Sequence, residues 1–445
     1  MKNNKLVKSI HTKLILSIII FAPLFYLGIG NKYPWVLLGQ YGKPTGILFF
    51  FVMTIIFFAM FLSRFLNKSL PNSIQKIFAA NLFLSIIFAI CYDIIQYKHF
   101  LRFDYHKPIL LFILSAITII LLALYRNKLK LVFAICGLYS ICHYMISIYY
   151  FPLVIARSDM LAAIAVSINQ FMHGISPYYQ SSPIVGIPPY LPMTMLSFIP
   201  AYSLKLDFRL VGLIYWVITI GLIIYKEQIL TNIQKMALCL LIVNPYFLMR
   251  HDLYYQFFLL EIVILCLYFN LFNFVAKGIF LGVFISTLQF AWILYPFILL
   301  AENKTIKNLF TMLLLSLATA ILGTFLYVHH GFADFIHAIF LHKEYLLSYS
   351  SDITFGLSMI FYFAKSQILL YIFQITICLL ILLGSIFAYL TNSESLRNHY
   401  MSLGAICYLI FMSTNYFIET YLLIPMLLFI ILSLKKVLNT NHTKP

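Results

Sequence analysis

The chain has 445 residues, of which 63% are hydrophobic and 10% charged, with a mean hydropathy of +0.96. That excludes an ordinary water-soluble domain, whose charged share is about 25%. The formal charge of +17 would point to nucleic acid in a soluble protein, but here Lys and Arg fall in short connectors between apolar runs, the positive-inside pattern of a membrane protein, so no nucleic-acid partner is expected.

Apolar stretches long enough to cross a hydrocarbon core, about 17 to 25 residues, recur from end to end. We read spans over 14–30, 45–63, 76–96, 108–125, 131–152, 190–206, 209–225, 236–250, 253–274, 278–300, 308–328, 367–390, 399–414 and 418–434. The first follows Lys2, Lys5, Lys8 and Lys13 but is long for a signal-peptide core and lacks a small-x-small site before Asn31, so it reads as an uncleaved span. The expected fold is all-α: a polytopic transmembrane helical bundle of about 14 spans with both termini on one side. With the N-terminus in the cytoplasm, about 19 of the 30 Lys and Arg lie on the cytoplasmic side, including Arg64, Lys68, Arg126, Lys435 and Lys436. All seven cysteines (Cys91, Cys136, Cys142, Cys239, Cys266, Cys378, Cys407) lie in apolar runs without CxxC spacing, so neither disulfides nor zinc is indicated.

Two segments are long enough to build a site on the outward side, 153–189 and 329–366, the latter with a re-entrant or surface-lying piece at 353–365. The organisation expected is therefore an N-terminal four-helix membrane extension (1–130), a core (131–328) with the outward loop 153–189, the second outward loop (329–366), and C-terminal helices with a cytoplasmic tail (367–445). Within the first loop, Met160, Leu161, Ile164, Ile168, Phe171 and Met172 recur at helical spacing. They predict an amphipathic helix lying at the membrane surface, capped by Ser158, terminated by Gly174 and kept from resuming by Ser176-Pro177.

Asp159, the helix ending in Gly174-x-Ser176-Pro177-Tyr178, and Tyr190-Leu191-Pro192 with Pro200 beyond resemble the first outward loop of GT-C glycosyltransferases. The resemblance is closest to bacterial polyprenol-phosphate-mannose-dependent mannosyltransferases, covers about residues 157–209, and has a weaker echo in Asn244-Pro245, Gln256 and the Gly278 to Pro296 stretch. It departs from that family in the four helices preceding the motif and in the absence of a basic residue over Leu288-Gln289-Phe290-Ala291-Trp292. The resemblance implies a sugar donor on polyprenyl phosphate, mannose being the first candidate, a lipid or glycan acceptor, and a multi-pass protein of the bacterial inner (cell) membrane. Its active site would face the periplasm or exterior.

The chemistry of Asp159 can be argued without the family. An acceptor hydroxyl is a poor nucleophile at neutral pH, and a placed carboxylate that takes its proton accelerates attack by roughly 10²–10⁴-fold. A lipid phosphate leaves without a second acid, unlike the leaving group in glycoside hydrolysis, so one carboxylate suffices and no cofactor or metal is required. The bland reading is an acid in the first turn of a surface helix, favoured by the dipole by about 0.3–1 kcal/mol.

Arg157 is placed either to hold a phosphate or to snorkel at a span end. Pro177, Tyr178, Tyr179 and Tyr190 are the candidate substrate contacts of the loop, Tyr190 serving equally as an interfacial anchor. In the second loop, His330 and Lys343 are candidates for the donor phosphate, while His337 and His342 are five apart and poorly spaced for a metal. Asp252 and Gln256 are sugar-binding candidates if their junction faces outward and an ordinary connector otherwise. Asp207 and Arg209 read as a cytoplasmic helix boundary. Two alternatives use the same lipid-linked substrate: a transporter or flippase, which predicts acids or broken helices near mid-membrane in matched halves, and a polysaccharide polymerase or ligase, which favours a large basic outward loop.

Overall fold

The structure, a computed structural model, describes residues 82, 86–87, 109–125, 128–150, 159–179, 190–225, 232–243, 248, 256–271, 273–288, 291–302, 305–338, 367–392 and 404. Among them every regular element is a helix. The chain divides into two compact units, Met1–Pro152 with Ile220–Asp252, and Leu153–Thr219 with Leu253–Pro445. The expected spans at 14–30, 45–63 and 418–434 lie outside the described residues, as do those at 76–96 and 399–414 apart from Leu82, Ile86, Ile87 and Gly404.

In the first unit, α1 (Ile109–Tyr125) and α2 (Leu129–Tyr150) pack together, joined by Ser115 Oγ and the Tyr139 hydroxyl at 3.1 Å. Gly137 permits close approach on another side of α2, where a Cβ would meet Ile220 Cγ2 at 2.8 Å. The rest of the described chain forms α3 (Asp159–Met172), α4 (Pro192–Leu196), α5 (Ile199–Ser203), α6 (Arg209–Tyr225), α7 (Asn232–Ile242), α8 (Gln256–Asn270), α9 (Phe274–Ile285), α10 (Ala291–Glu302), α11 (Ile306–Val328), α12 (Phe332–Ile336) and α13 (Gln367–Leu390). Of these, α7 packs on α2 in the first unit.

Among the described residues two helices, Leu129–Tyr149 and Ile306–Val328, are long and apolar enough to cross a membrane. α11 explains itself from its sequence: Ile306, Phe310, Leu314, Leu317, Ile321 and Phe325 fall on one exposed apolar face, while Met312, Ser316, Gly323 and Tyr327 fall on the buried one. Small and polar residues toward protein, with large apolar residues outward, is the pattern of a helix solvated by lipid. α9 lies against that inner face at the glycines: a Cβ on Gly282 would meet the Ser316 carbonyl oxygen at 2.5 Å and Thr319 Cβ at 2.6 Å.

Two expected spans are broken. The stretch 278–300 is not one helix but α9, a turn through Ser286-Thr287-Leu288, and α10. Ser286 Oγ donates to the Gly282 carbonyl at 2.8 Å and Thr287 Oγ1 to Phe284 at 2.6 Å, local side-chain bonds that compete with helix propagation. The turn's own carbonyls are taken from outside: Ser286 O accepts from Met193 N at 2.9 Å, and Thr287 O from Leu191 N at 3.1 Å and Thr194 Oγ1 at 2.7 Å. Likewise 190–206 is two five-residue helices, α4 and α5: Pro192 opens α4, where its missing N–H is no loss, and Pro200 cannot donate back to Leu196, so the ladder does not run on from α4 into α5. α1, α2 and α11 start and end within two residues of expectation, and α6 and α13 occupy the expected 209–225 and 367–390, whereas α7 begins four residues before the expected 236–250 and α8 is shorter at both ends than the expected 253–274.

The second unit has a readable vertical order. Asn273 caps α9 by accepting from Val275 N and Ala276 N, turning the chain back from α8. At that base, Lys277 pairs with Glu302 of α10 at 2.9 Å and stands over the Tyr268 ring of α8. At the opposite end of these helices the Ser286–Leu288 turn meets α4, and Met193 of α4 fits against Gly323 of α11. The first turn of α8, with Gln256, lies toward that same end.

Candidate functional site

The predicted loop helix forms as α3, and Gly174 ends it as expected, at φ +71. Ile175 N donates to Gln170 O at 2.9 Å and Gly174 N to Phe171 O at 3.1 Å, the paired bonds of a Schellman motif. α3 does not rest on the bundle by a thin apolar stripe: Leu161, Ala163, Ile164, Ser167, Ile168 and Gln170 are all buried, against α4, α5 and the end of α11. Met172, read from spacing as part of the inner stripe, is exposed.

Three hydroxyls fasten the loop beyond α3. Ser167 Oγ donates to the Pro177 carbonyl at 2.7 Å and accepts from the Tyr327 hydroxyl at 2.9 Å. The Tyr178 hydroxyl donates to the Tyr190 carbonyl at 2.7 Å, and Gln170 Nε2 to Tyr179 O at 3.0 Å. Tyr178 is fully enclosed, edge-on to Tyr327 and Phe335, and burial, with the Tyr327 hydroxyl adding to it, pushes its phenol well above the ordinary tyrosine value. Tyr179 beside it is 59% exposed and is the tyrosine of this loop with a face open to a ligand.

The two expected outward segments meet. Ser176 packs directly on Gly331, so closely that a Cβ on that glycine would overlap the serine side chain, and His330 Nε2 lies 3.9 Å from the Cβ position of Gly174. Pro177, Tyr178, Tyr179, Tyr190 and His330 therefore belong to one end of the second unit. Asp159 does not join them: it begins α3, and a helix of 14 residues puts its first residue about 20 Å from its last. Arg157, Asp252 and Lys343 lie outside the described residues, and Gln256 opens α8.

Sequence reasoning missed a pairing and a break. Ser167 and Tyr327 are 160 residues apart, so no local spacing links them. Glu261 is legible in the sequence as an acid inside an apolar run, where charge usually faces protein or water. The structure buries it fully in α8, with Oε1 3.3 Å from Thr287 Oγ1 beside the α9–α10 break, and it is that break that hydropathy reads as a continuous span. Asp207 and Arg209 do mark a helix start, as expected: Asp207 accepts from Arg209 N at 2.9 Å and forms a fork with the buried guanidinium, Nη2 to Oδ2 at 2.6 Å.

A scan of protein-family models finds no match to the chain, and no curated protein and no solved structure matches it. Among the described residues the fold is thus all-helical, with two helices long and apolar enough to cross a membrane and a polar-capped end built from α3, its loop and the end of α11.

Proposed function

We propose that the chain is an inverting glycosyltransferase of the GT-C type, transferring a sugar, mannose first among candidates, from a polyprenyl-phosphate donor to a hydroxyl acceptor on the extracytoplasmic side of a bacterial cell membrane. Asp159 is the general base. The supporting observation is the anchoring of α3: its far end is held by the Gly174 turn, by Ser167 and by Tyr178, so the end bearing Asp159 is set by a rigid helix rather than a free loop.

In the step proposed, the Asp159 carboxylate takes the acceptor hydroxyl's proton as that oxygen bonds to the anomeric carbon. The bond from that carbon to the phosphate oxygen breaks, and the lipid phosphate leaves with the electron pair, inverting the centre. Since His330 stands about a helix length from Asp159, the group assigned to the departing phosphate is Arg157, two residues before the base in the chain. Purified protein given polyprenyl-phosphate sugars should consume donor, and Asp159→Asn should slow transfer about 10²–10⁴-fold. Full activity in that variant removes Asp159 as base.

One observation favours a second reading, transport of a lipid-linked sugar. A helix broken at Ser286–Leu288 with buried Glu261 at the break is the arrangement in which transporters place ions and substrates. In liposomes, lipid-linked sugar crossing without donor consumption, abolished by Glu261→Gln, would select this reading over transfer.

A further inference from the structure

We propose that Cys136 and Cys239 form a two-thiolate binding site for a soft monovalent metal ion, copper(I), which clips α2 to α7 in the first unit. The inference goes beyond the function proposed above and does not rest on it, since both residues lie in the unit that does not contain Asp159.

The two cysteines sit on packed helices, and both are completely enclosed. Their thiols are hydrogen-bonded to each other. Metal–sulfur bonds of about 2.3 Å, set in line, need sulfurs about 4.6 Å apart, so exchanging the shared hydrogen for a metal ion opens the pair only slightly. Phe133, a turn before Cys136, and Ile242, a turn after Cys239, are buried apolar side chains that offer no oxygen to a hard cation.

The ligand set selects the metal. Among the described residues no group of three or more His, Cys, Asp and Glu side chains gathers, so zinc finds no tetrahedral cage at this pair. Thiolates without oxygen partners favour soft ions, and a singly charged ion with a filled d shell is content with two sulfurs in line.

Charge also balances. On binding, both S–H bonds break, two metal–sulfur bonds form, no electron is transferred and two protons leave to solvent. Two thiolates and one copper(I) leave one net negative charge. Lys235, one helical turn before Cys239 on α7, is close enough for its positive charge to act on that sulfur. The filled site together with Lys235 is neutral, the form that burial tolerates. On the orientation read from the sequence, Cys136 stands six residues past Lys130, about 9 Å along α2 from its cytoplasmic start, the side on which thiols are kept reduced and available as ligands.

The test titrates the full chain, purified without oxygen in phosphatidylcholine nanodiscs, with copper(I) against a coloured copper(I) chelator, and with silver(I) as the redox-inert analogue. The wild type should bind one copper(I) that Cys136→Ala and Cys239→Ala each weaken by more than about 100-fold, the upper end of what losing a group behind a ligand costs. Cys142→Ala, six residues from Cys136 and so on another face of α2, should keep it. Lys235→Met should weaken that ion about 10–100-fold without changing the stoichiometry. Filling the site should raise the thermal midpoint of the wild type but not of the two ligand variants. X-ray absorption of the wild type loaded with one copper(I) guards against misfolded variants, and should show two sulfur neighbours without nitrogen or oxygen. A third ligand, undiminished binding in either ligand variant, or zinc(II) held there as tightly as copper(I) overturns the site. Recovery of Cys136 and Cys239 joined as a disulfide, after rapid thiol trapping in intact cells, overturns it as well.

Discussion

The Tyr178 hydroxyl donates to the Tyr190 carbonyl at 2.7 Å, closing the chain between the end of α3 and the start of α4. The bond is buried, so it is worth more than its surface equivalent and costly to leave unmade. Replacing Tyr178 by Phe removes that bond to the buried carbonyl and should destabilise the second unit by about 1–3 kcal/mol. A lowered thermal midpoint with unchanged helix content checks this; an unchanged midpoint would mean that water satisfies the carbonyl.

The same phenol predicts an alkaline weakness. Burial raises its pKa well above the ordinary tyrosine value of about 10, near which it ionises in the unfolded chain. Below that value both states hold the proton and its contribution to stability is intact. As pH rises above it the unfolded state loses the proton first, so stability falls until the native phenol also ionises. Denaturation followed from about pH 9 to 11 should show a steeper loss in the wild type than in Tyr178→Phe.

Ser176 and Gly331 should behave as a coupled pair. The Ser176 hydroxyl is buried without a hydrogen-bond partner among the described residues, so Ser176→Ala should be neutral or slightly stabilising. Gly331→Ala places a methyl where the Ser176 side chain sits and should cost about 1–3 kcal/mol. Combining it with Ser176→Gly should recover much of that loss in a double-mutant cycle, since the glycine's φ of −170 itself suits any residue.

Two glycines on α9 should differ in what they tolerate. At Gly278 an added Cβ meets Leu315 Cβ at 2.7 Å, which moves only with its backbone, and Leu315 Cδ1 at 3.0 Å. At Gly282 it meets the Ser316 backbone as well as Thr319. Both substitutions should destabilise, by about 1–3 kcal/mol, and Gly282→Ala, which meets backbone atoms as well, should lower the thermal midpoint the more. The reverse order would refute close α9–α11 contact at Gly282.

Asp207 and Arg209 give an asymmetric prediction. Arg209 is 3% exposed and Asp207 28%, so Asp207→Asn leaves a buried guanidinium short of its fork, at a cost of roughly 3 kcal/mol, whereas Arg209→Met removes the charge itself and should cost less. Chemical denaturation of the two variants side by side decides the order.

Much of this was legible in the residues. Gly174 ended α3 because only a residue easy at positive φ suits that turn, and α6, α11 and α13 followed from apolar runs whose length needs no tertiary partner. The breaks at Pro192–Pro200 and Ser286–Leu288 were not legible, because a hydropathy average passes over a proline or a serine-threonine pair when its neighbours are apolar.

What the sequence determined by itself was a chain too apolar for water, helical throughout its described part, with a polar, turn-rich interval around Asp159 and Gly174. Those properties follow from solvation and backbone preference, which act residue by residue. Only the tertiary structure decided that Ser167 meets Tyr327, that Ser176 lies on Gly331, and that His330 stands beside Gly174 but a helix length from Asp159. Such contacts join residues more than 150 positions apart, and no local pattern encodes which distant carbonyl, ring or glycine will accept a side chain until the helices have packed.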